Sequence, residues 1–258
     1  MKARVYNTGL PIALLVILGL GWEASVRLFE IPPYVLPGPL QILKVMWQRM
    51  DLLAAHGLVT LTEIGLGFWV ALMVGFTLAV LIHSSQILEW AFMPLIISSQ
   101  TIPVFAIAPL LILWFGYGIG SKVVMTAIIV FFPIVINTVE GLKAADPDTL
   151  ALLKILEATP GQVFFKVRIP QSLPFVFSGI KIGVAVSVIG AVIGEWVGAR
   201  EGLGYLMIHA NAQLQVELVF ASIAWLSILG TGLYGIVVVL ERLLIPWRHR
   251  AASLISES

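Results

Sequence analysis

The chain has 258 residues, of which 59% are hydrophobic and only 11% are charged, and its mean hydropathy is +1.02. This composition excludes a water-soluble domain of that size, because too few polar residues are present to cover its surface. The net charge of +1 favours no nucleic-acid partner, and the absence of cysteine excludes disulfides, Cys-zinc sites and thiol catalysis. Apolar runs of about 18 residues or more recur, so we predict an all-α polytopic membrane protein.

Six membrane-spanning helices are predicted. No convincing small-x-small cleavage site follows the first apolar run, so we expect it to be retained as a span rather than removed as a signal peptide. The spans run from about Leu10 to Phe29, Leu58 to Ile82, Ile87 to Phe115, Lys122 to Val139, Phe175 to Val197 and Leu218 to Leu240.

The segment before span two begins with IPPYVLPGP, which cannot be regular helix because proline lacks an N–H donor and restrains its predecessor. From about Pro39 to Ala55, apolar residues then recur at helical spacing, with Lys44, Gln48, Arg49 and Asp51 between them. This pattern predicts either an amphipathic helix on the membrane surface or a plain connector helix.

Glycines and prolines mark the interiors of spans two and three. The glycines of span two are most simply interpreted as sites of close helix packing: Gly65, Gly67 and Gly75. Span three is broken by Pro94, Pro103 and Pro109, and such breaks need neighbouring helices or a cavity to satisfy the freed carbonyls. We therefore expect the segment SSQTIPVFAIAP to line a translocation path. Between spans five and six, we expect the chain to be helical after Gly204.

The segment from Glu140 to Pro174 is the longest polar interruption, and it is basic. Six spans place both termini on one side. With the termini inside, 10 Lys and Arg residues are cytoplasmic and 5 are outside, which places this segment in the cytoplasm.

This cytoplasmic segment resembles the loop of membrane permeases from binding-protein-dependent ABC importers, E-A-A-x3-G-x9-I-x-L-P. In register on Pro170, Val167-Arg168-Ile169-Pro170 takes the I-x-L-P place, while Glu157 stands for the Gly and Ala151-Leu152-Leu153 for E-A-A. The stretches LPGPLQIL, IPVFAIAPLLILWFGYGIGSK and GEWVGAREGLGYLM are similar to the sulfonate, taurine, nitrate and pyrimidine-precursor branch. The GEW and NAQLQ segments look closest to permeases for thiamine-precursor pyrimidines or riboflavin-like heterocycles.

The resemblance implies a type I ABC importer permease fold, in which five core helices follow one extra span. Residues 1–258 would form a single transmembrane permease domain, with a coupling loop at 141–174 that folds as two short helices. Expected partners are a cytoplasmic ABC ATPase dimer, a periplasmic or extracellular solute-binding protein, a second permease copy and the lipid bilayer of the bacterial inner membrane. ATP and Mg²⁺ would bind the partner ATPase, and this chain would hold no cofactor.

Residues of the loop are expected to dock on that ATPase. Apolar positions in a segment outside the lipid need a protein partner, unless they pack against the protein's own spans. Thr159-Pro160-Gly161 supplies the break between the two helices. We further hypothesise that Pro160-Gly161 makes the turn in place of the family Gly, which would let the first helix continue past Glu157. The expected coupling residues are Leu150, Leu153, Lys154, Ile155, Leu156, Glu157, Ala158, Thr159, Pro160, Gly161, Val163, Phe164 and Pro170.

Several sites are excluded by missing motifs. The chain has no G-x-x-x-x-G-K-[ST], so ATP hydrolysis would require a separate chain. No G-x-S-x-G or serine–histidine pairing supports a hydrolase, and the four histidines lie in different segments without metal-ligand spacing. We therefore predict neither a catalytic residue nor a metal site.

Polar and aromatic residues in the spans are candidates for the pathway. Glu195 could meet a polar solute, or it could be an interfacial carboxylate paired with Arg200, and Glu63 is similarly placed for solvation. Gln100 and Asn137 could hydrogen-bond across helices or contact solute. Trp196 could stack on a flat heterocycle or anchor the helix at the interface. The pathway candidates are Gln100, Pro103, Asn137, Glu195 and Trp196.

The function predicted is that of an ABC importer permease for a small polar solute, such as a thiamine-precursor pyrimidine or a related heterocycle. Import of sulfonate, taurine or nitrate by the same machinery is the alternative. A self-sufficient secondary transporter or channel is the second alternative, and it would require inverted repeats and buried carboxylate relays.

Overall fold

The computed structural model describes the backbone of residues 2–247 and the side chains from residue 9 onwards, and within that range all regular structure is helical. The first helices are α1 (Lys2–Leu28), α2 (Pro39–Gln48), α3 (Met50–Ser84), α4 (Gln86–Ser99), α5 (Val104–Phe115) and α6 (Ile119–Lys143). They are followed by α7 (Pro147–Ile155), α8 (Pro160–Val163), α9 (Ile169–Gly198), α10 (Leu203–Ala212) and α11 (Val216–Leu244), with a π-helical turn at Phe164–Arg168 before α9. The C-terminal tail, with the Arg248 and Arg250 that were assigned to the cytoplasm, lies outside the described residues.

Within the described range, five helical stretches are long and apolar enough to cross a membrane: Gly9–Leu28, Met50–Ser84, Ile119–Lys143, Pro160–Gly198 and Val216–Leu244. The pair α4 and α5 supplies a sixth if it is counted as one broken span, since its two helices are bent by 100°. The prediction of a six-span helical membrane protein is therefore confirmed. Of the three prolines in this region, Pro103 lies at the break, whereas Pro94 and Pro109 lie inside helices.

The start of span two differs from the prediction. A surface helix was expected to continue to about Ala55, but α2 ends at Gln48 and a continuous 35-residue helix begins at Met50. No proline occurs between Met50 and Ser84, so nothing prevents the span from extending to that point. At 1.5 Å per residue, α3 is about 52 Å long, which exceeds the roughly 30 Å of hydrocarbon it has to cross.

The chain divides into two compact units. The first comprises Met1–Val59 and Glu201–Ser227. In it, Glu23 accepts a hydrogen bond from the Leu40 N–H at 3.2 Å, and the Gln41 amide donates to Glu217 at 3.0 Å. The rings of Trp22 and Phe220 lie 5.9 Å apart.

The second unit comprises Thr60–Arg200 and Ile228–Ser258, and its centre is the packing of α6 on α9. Glycines allow the two backbones to meet. A Cβ on Gly179 would lie 2.7 Å from the Pro133 carbonyl oxygen, and one on Gly190 would lie 2.8 Å from the Thr126 Cα. Gly67 and Gly75 of α3 also contact α6, as predicted, whereas a Cβ on Gly65 would meet nothing within 4 Å. The buried side chains around this contact include Ala71, Val130, Ile134, Val135 and Val139.

Candidate functional site

The polar loop folds as two short helices, as the sequence predicted, and α7 begins with a defined cap. Asp146 is its N-cap: the carboxylate accepts hydrogen bonds from the Thr149 hydroxyl at 2.6 Å and from the Thr149 N–H at 3.1 Å. These hydrogen bonds hold the pKa of Asp146 below its usual range. Pro147 follows at the first helical position, where its missing N–H would have had no helical partner.

The end of α7 is a Schellman motif centred on Glu157. Glu157 has a φ of +52°, its N–H donates to the Lys154 carbonyl at 3.2 Å, and the Ala158 N–H donates to the Leu153 carbonyl at 3.0 Å. The hypothesis that Pro160-Gly161 makes this turn and that α7 continues past Glu157 is therefore wrong. At the position that aligns with the family glycine, glutamate adopts the left-handed conformation.

The second helix of the loop, α8, has Thr159 as its N-cap and is continuous with α9 through the π-helical turn. The Thr159 hydroxyl accepts from the Gln162 N–H at 3.3 Å, and the Gln162 side chain accepts from the Thr159 N–H at 2.9 Å, which forms a capping box. The helix then passes through the π-helical turn into α9. Pro170 lies in the first turn of α9, and it cannot donate to a preceding carbonyl, which is a physical reason for irregular hydrogen bonding at this point.

Apolar side chains of the loop divide into two groups. Ile155 is 78% exposed and Leu156 is 66% exposed, although neither lies within a candidate span. Sequence reasoning missed two further exposed residues, Leu152 and Phe165, although the same signal of an apolar residue in a polar loop could have found them. The other expected docking residues are half-buried: Leu150, Leu153, Val163 and Phe164.

An open cleft of about 520 Å³ lies against the loop. The Phe164 ring stacks on the imidazole of His83, with centroids 6.3 Å apart, and the Arg168 guanidinium donates to the Leu142 carbonyl at 2.9 Å. The structure thus brings six of the expected coupling residues together in one cleft that also carries positive charge. Its lining consists of His83, Ser84, Leu150, Lys154, Ala158, Pro160, Val163, Phe164 and Arg168.

A group of buried charges joins α3, α6 and α9. Glu63 is 2% exposed and Glu195 is 1% exposed, so the solvated and interfacial interpretations of these carboxylates are wrong. The Thr60 hydroxyl donates to Glu195 at 2.6 Å, and the Lys122 ammonium lies 3.7 Å from Glu63. Lys122, predicted to begin span four and counted among the five basic residues on the outer side, is 7% exposed within α6.

The structure does not gather the pathway candidates at one place. Gln100 and Pro103 are exposed at the break between α4 and α5. Asn137 is half-buried and donates to the Pro133 carbonyl of its own helix at 2.8 Å, rather than across helices. Since 15 residues of α6 separate it from Lys122, Asn137 lies about 22 Å along the helix from the buried charges that include Glu195. Trp196, the residue after Glu195, is 44% exposed.

Comparison with known proteins identifies the family. The sequence model described as "Binding-protein-dependent transport system inner membrane component" matches residues 67–246, which is more than half of the chain. The fold is similar to that of the methionine ABC transporter MetNI in an inward-facing structure, with a TM-score of 0.66 at 18% identity, covering 76% of this chain and 98% of that one. The chain therefore belongs to the family of binding-protein-dependent ABC transport permeases, as its loop and neighbouring segments indicated.

Relatives of known name extend the similarity over nearly the whole chain. The formylaminopyrimidine transport permease ThiX of Halalkalibacterium halodurans is 39% identical over 96% of this chain and 99% of its own length. The riboflavin transport permease RibX of Chloroflexus aurantiacus is 38% identical over 93% of this chain and 90% of its own. The aliphatic sulfonates transport permease SsuC of Bacillus subtilis is 30% identical over 88% and 83%.

Proposed function

We propose that this permease carries a small flat heterocycle of the pyrimidine-precursor or riboflavin kind. The observation that supports the substrate class is the difference in similarity between relatives. Two permeases named for heterocycles are 39% and 38% identical, whereas those named for sulfonates and taurine are 30% and 28% identical. Import of a sulfonate or taurine by the same machinery is the second candidate function.

The geometry of the loop supports a separate ATPase as the partner. Leu152, Ile155 and Leu156 expose apolar surface outside the candidate spans, so they need a protein surface to cover them. The adjoining cleft, lined by Lys154 and Arg168, suits a partner segment that carries acidic groups beside apolar ones. ATP and Mg²⁺ would bind that partner, and its closure would move α7 and α8 as a unit with α9.

The remaining assembly follows from this docking. With the loop in the cytoplasm, both termini are cytoplasmic and a solute-binding protein delivers the solute from the other side. Two permease copies form the pathway between them. Among the pathway candidates, the exposed residues Gln100, Pro103 and Trp196 contact the path. The half-buried Asn137 and the buried Glu195 instead position helices.

The docking proposal is tested with Ile155→Asp in proteoliposomes that contain the permease, its ATPase and its binding protein. A carboxylate at this exposed position leaves the fold intact but adds a desolvated charge to the interface. We expect ATP-driven uptake to fall about tenfold or more, with loss of co-purification of the ATPase.

Ile155→Leu is the matched control, since it keeps the apolar surface and should retain both uptake and co-purification. An Ile155→Asp permease that melts at the wild-type temperature, binds the ATPase and transports at the wild-type rate would disprove docking through α7.

A further inference from the structure

A cavity of about 310 Å³ in the first unit carries a combination of groups that the coupling function does not use. It lies between the start of α3 and the helix α10. Its lining is Arg49, Leu52, His56, Tyr205, Leu206, His209, Ala210, Gln213, Gln215 and Leu218. A cavity of this volume is in the lower range of small-molecule sites, which run from about 300 to 1,000 Å³.

Three aromatic rings form a platform along one side of this cavity. Tyr205 and His209 lie one turn apart on α10, and their rings stack with centroids 5.5 Å apart and planes at 19°. The imidazole of His56 also lies nearly parallel to Tyr205, with centroids 6.2 Å apart and planes at 24°. His209 is exposed and Tyr205 is half-buried, so the platform is open to solvent rather than enclosed in the core.

The platform is fixed in orientation by a backbone contact. The Gly202 N–H donates to Nδ1 of His56 at 3.0 Å, so Nδ1 is the acceptor and the ring proton of the neutral tautomer is on Nε2. Gly202 is buried with a φ of +111°, a conformation that glycine adopts without strain. The ring stack is therefore preorganised by the loop that precedes α10.

Hydrogen-bonding groups lie at the rim beside the rings. The Gln215 side-chain NH₂ donates to the Gln213 side-chain carbonyl oxygen at 3.1 Å. With the amides in this orientation, the NH₂ of Gln213 can donate to a ligand and the side-chain carbonyl oxygen of Gln215 can accept from one. A donor and an acceptor side by side match the ring nitrogens and amino groups at the edge of a pyrimidine or flavin. Arg49 adds an exposed guanidinium, which can also stack on a flat ring.

We propose that this cavity is a receiving site in which a flat heteroaromatic solute stacks on Tyr205 and His209 before translocation. The inference rests on the proposed function, since a sulfonate without a ring would gain nothing from the aromatic platform. Its place in the chain agrees with delivery from outside: in the topology inferred from the charge distribution, the segments before span two and between spans five and six are both on the outer side.

The test measures ATP-driven uptake of formylaminopyrimidine and of riboflavin by the complete complex in proteoliposomes, over a range of solute concentrations. Tyr205→Leu removes the ring, and stacking of a base on an aromatic residue contributes about 1–3 kcal/mol, so we expect its KM to rise about tenfold or more with little change in kcat. Tyr205→Phe keeps the ring and should keep the wild-type KM. Gln213→Ala changes an exposed residue, so it leaves the fold intact and should raise KM about fivefold for the loss of one hydrogen bond.

The outcomes separate the two proposals. If the wild-type complex transports a heterocycle and both Tyr205→Leu and Gln213→Ala keep its KM, the receiving site is overturned while the proposed function stands. If the wild-type complex transports neither heterocycle, the proposed substrate class is wrong and the receiving site with it. If Tyr205→Leu fails to fold, the KM of Gln213→Ala decides.

Discussion

Glu157 occupies a backbone conformation that side chains other than glycine rarely adopt. The left-handed conformation costs a residue with a Cβ about 1–2 kcal/mol. The same device recurs at Glu30, with a φ of +48°, and at Leu214, with a φ of +59°, where the chain leaves α1 and α10. At each of the three helix ends the residue after it donates back to a carbonyl five residues earlier, so hydrogen bonding offsets the backbone strain.

Glu157→Gly should stabilise the loop, because glycine removes the strain of positive φ, and its greater freedom in the unfolded chain offsets only part of that gain. We expect a net gain of about 0.5–1 kcal/mol, seen as slower limited proteolysis between α7 and α8. Glu157→Val should have the opposite effect, because a β-branched residue tolerates this region poorly. Faster cleavage of the glycine variant than of wild type would contradict the assignment.

Lys122 supplies the positive charge beside the buried carboxylate of Glu63, 3.7 Å away. Breaking a buried ion pair on one side costs about 3–5 kcal/mol, because the remaining charge is left without a partner. We therefore expect Lys122→Met to lower the melting temperature of the detergent-purified permease strongly. Glu63→Gln in the same protein should restore much of the loss, since the lysine lies 3.7 Å from that carboxylate. Additive effects of the two substitutions would show that the pair is not coupled.

At the scale of the helices, the contact of α6 with α9 determines the second unit. Helices in a membrane gain little from burying apolar surface against each other, so close backbone approach and van der Waals packing hold them together. Gly190 permits that approach, because a Cβ there would lie 2.8 Å from the Thr126 Cα, a backbone atom that cannot move aside.

Gly190→Ala should destabilise the permease by about 1–3 kcal/mol through forced separation of the two helices. Gly65→Ala is the matched control: it is also a glycine within a span, but a Cβ there would meet nothing within 4 Å, so we expect no loss of stability. Melting temperatures in one detergent compare the two. Equal melting temperatures would be inconsistent with a close contact at Gly190.

Hydrophobic run length sufficed to find the spans but not the start of span two, and polar composition sufficed to find the loop that holds α7 and α8. The position of the helix break in span three was harder to predict, because the sequence does not distinguish Pro94, Pro103 and Pro109. Of these three prolines, only Pro103 lies between helices. The burial of Glu63 and Glu195 was beyond sequence reasoning, since their partners, Lys122 for Glu63 and Thr60 for Glu195, belong to other helices and are distant in the chain. The turn at Glu157 was missed because propensity disfavours glutamate there, whereas the Schellman hydrogen bonds determine the conformation.

At the scale of the whole molecule, the loop geometry supports the proposal that ATP hydrolysis on another chain drives solute movement. The described helices place exposed apolar residues on α7, and α8 continues through the π-helical turn into the span α9. A force applied to α8 is therefore transmitted along a continuous helical path into the membrane. An independent secondary transporter would have no need of this arrangement.

The most direct test is uptake of formylaminopyrimidine into proteoliposomes that contain the permease and its binding protein, with and without the ATPase. The account predicts uptake only when ATPase and ATP are both present, and loss of that uptake with Ile155→Asp. Uptake that proceeds without the ATPase, driven by a proton or sodium gradient, would contradict it.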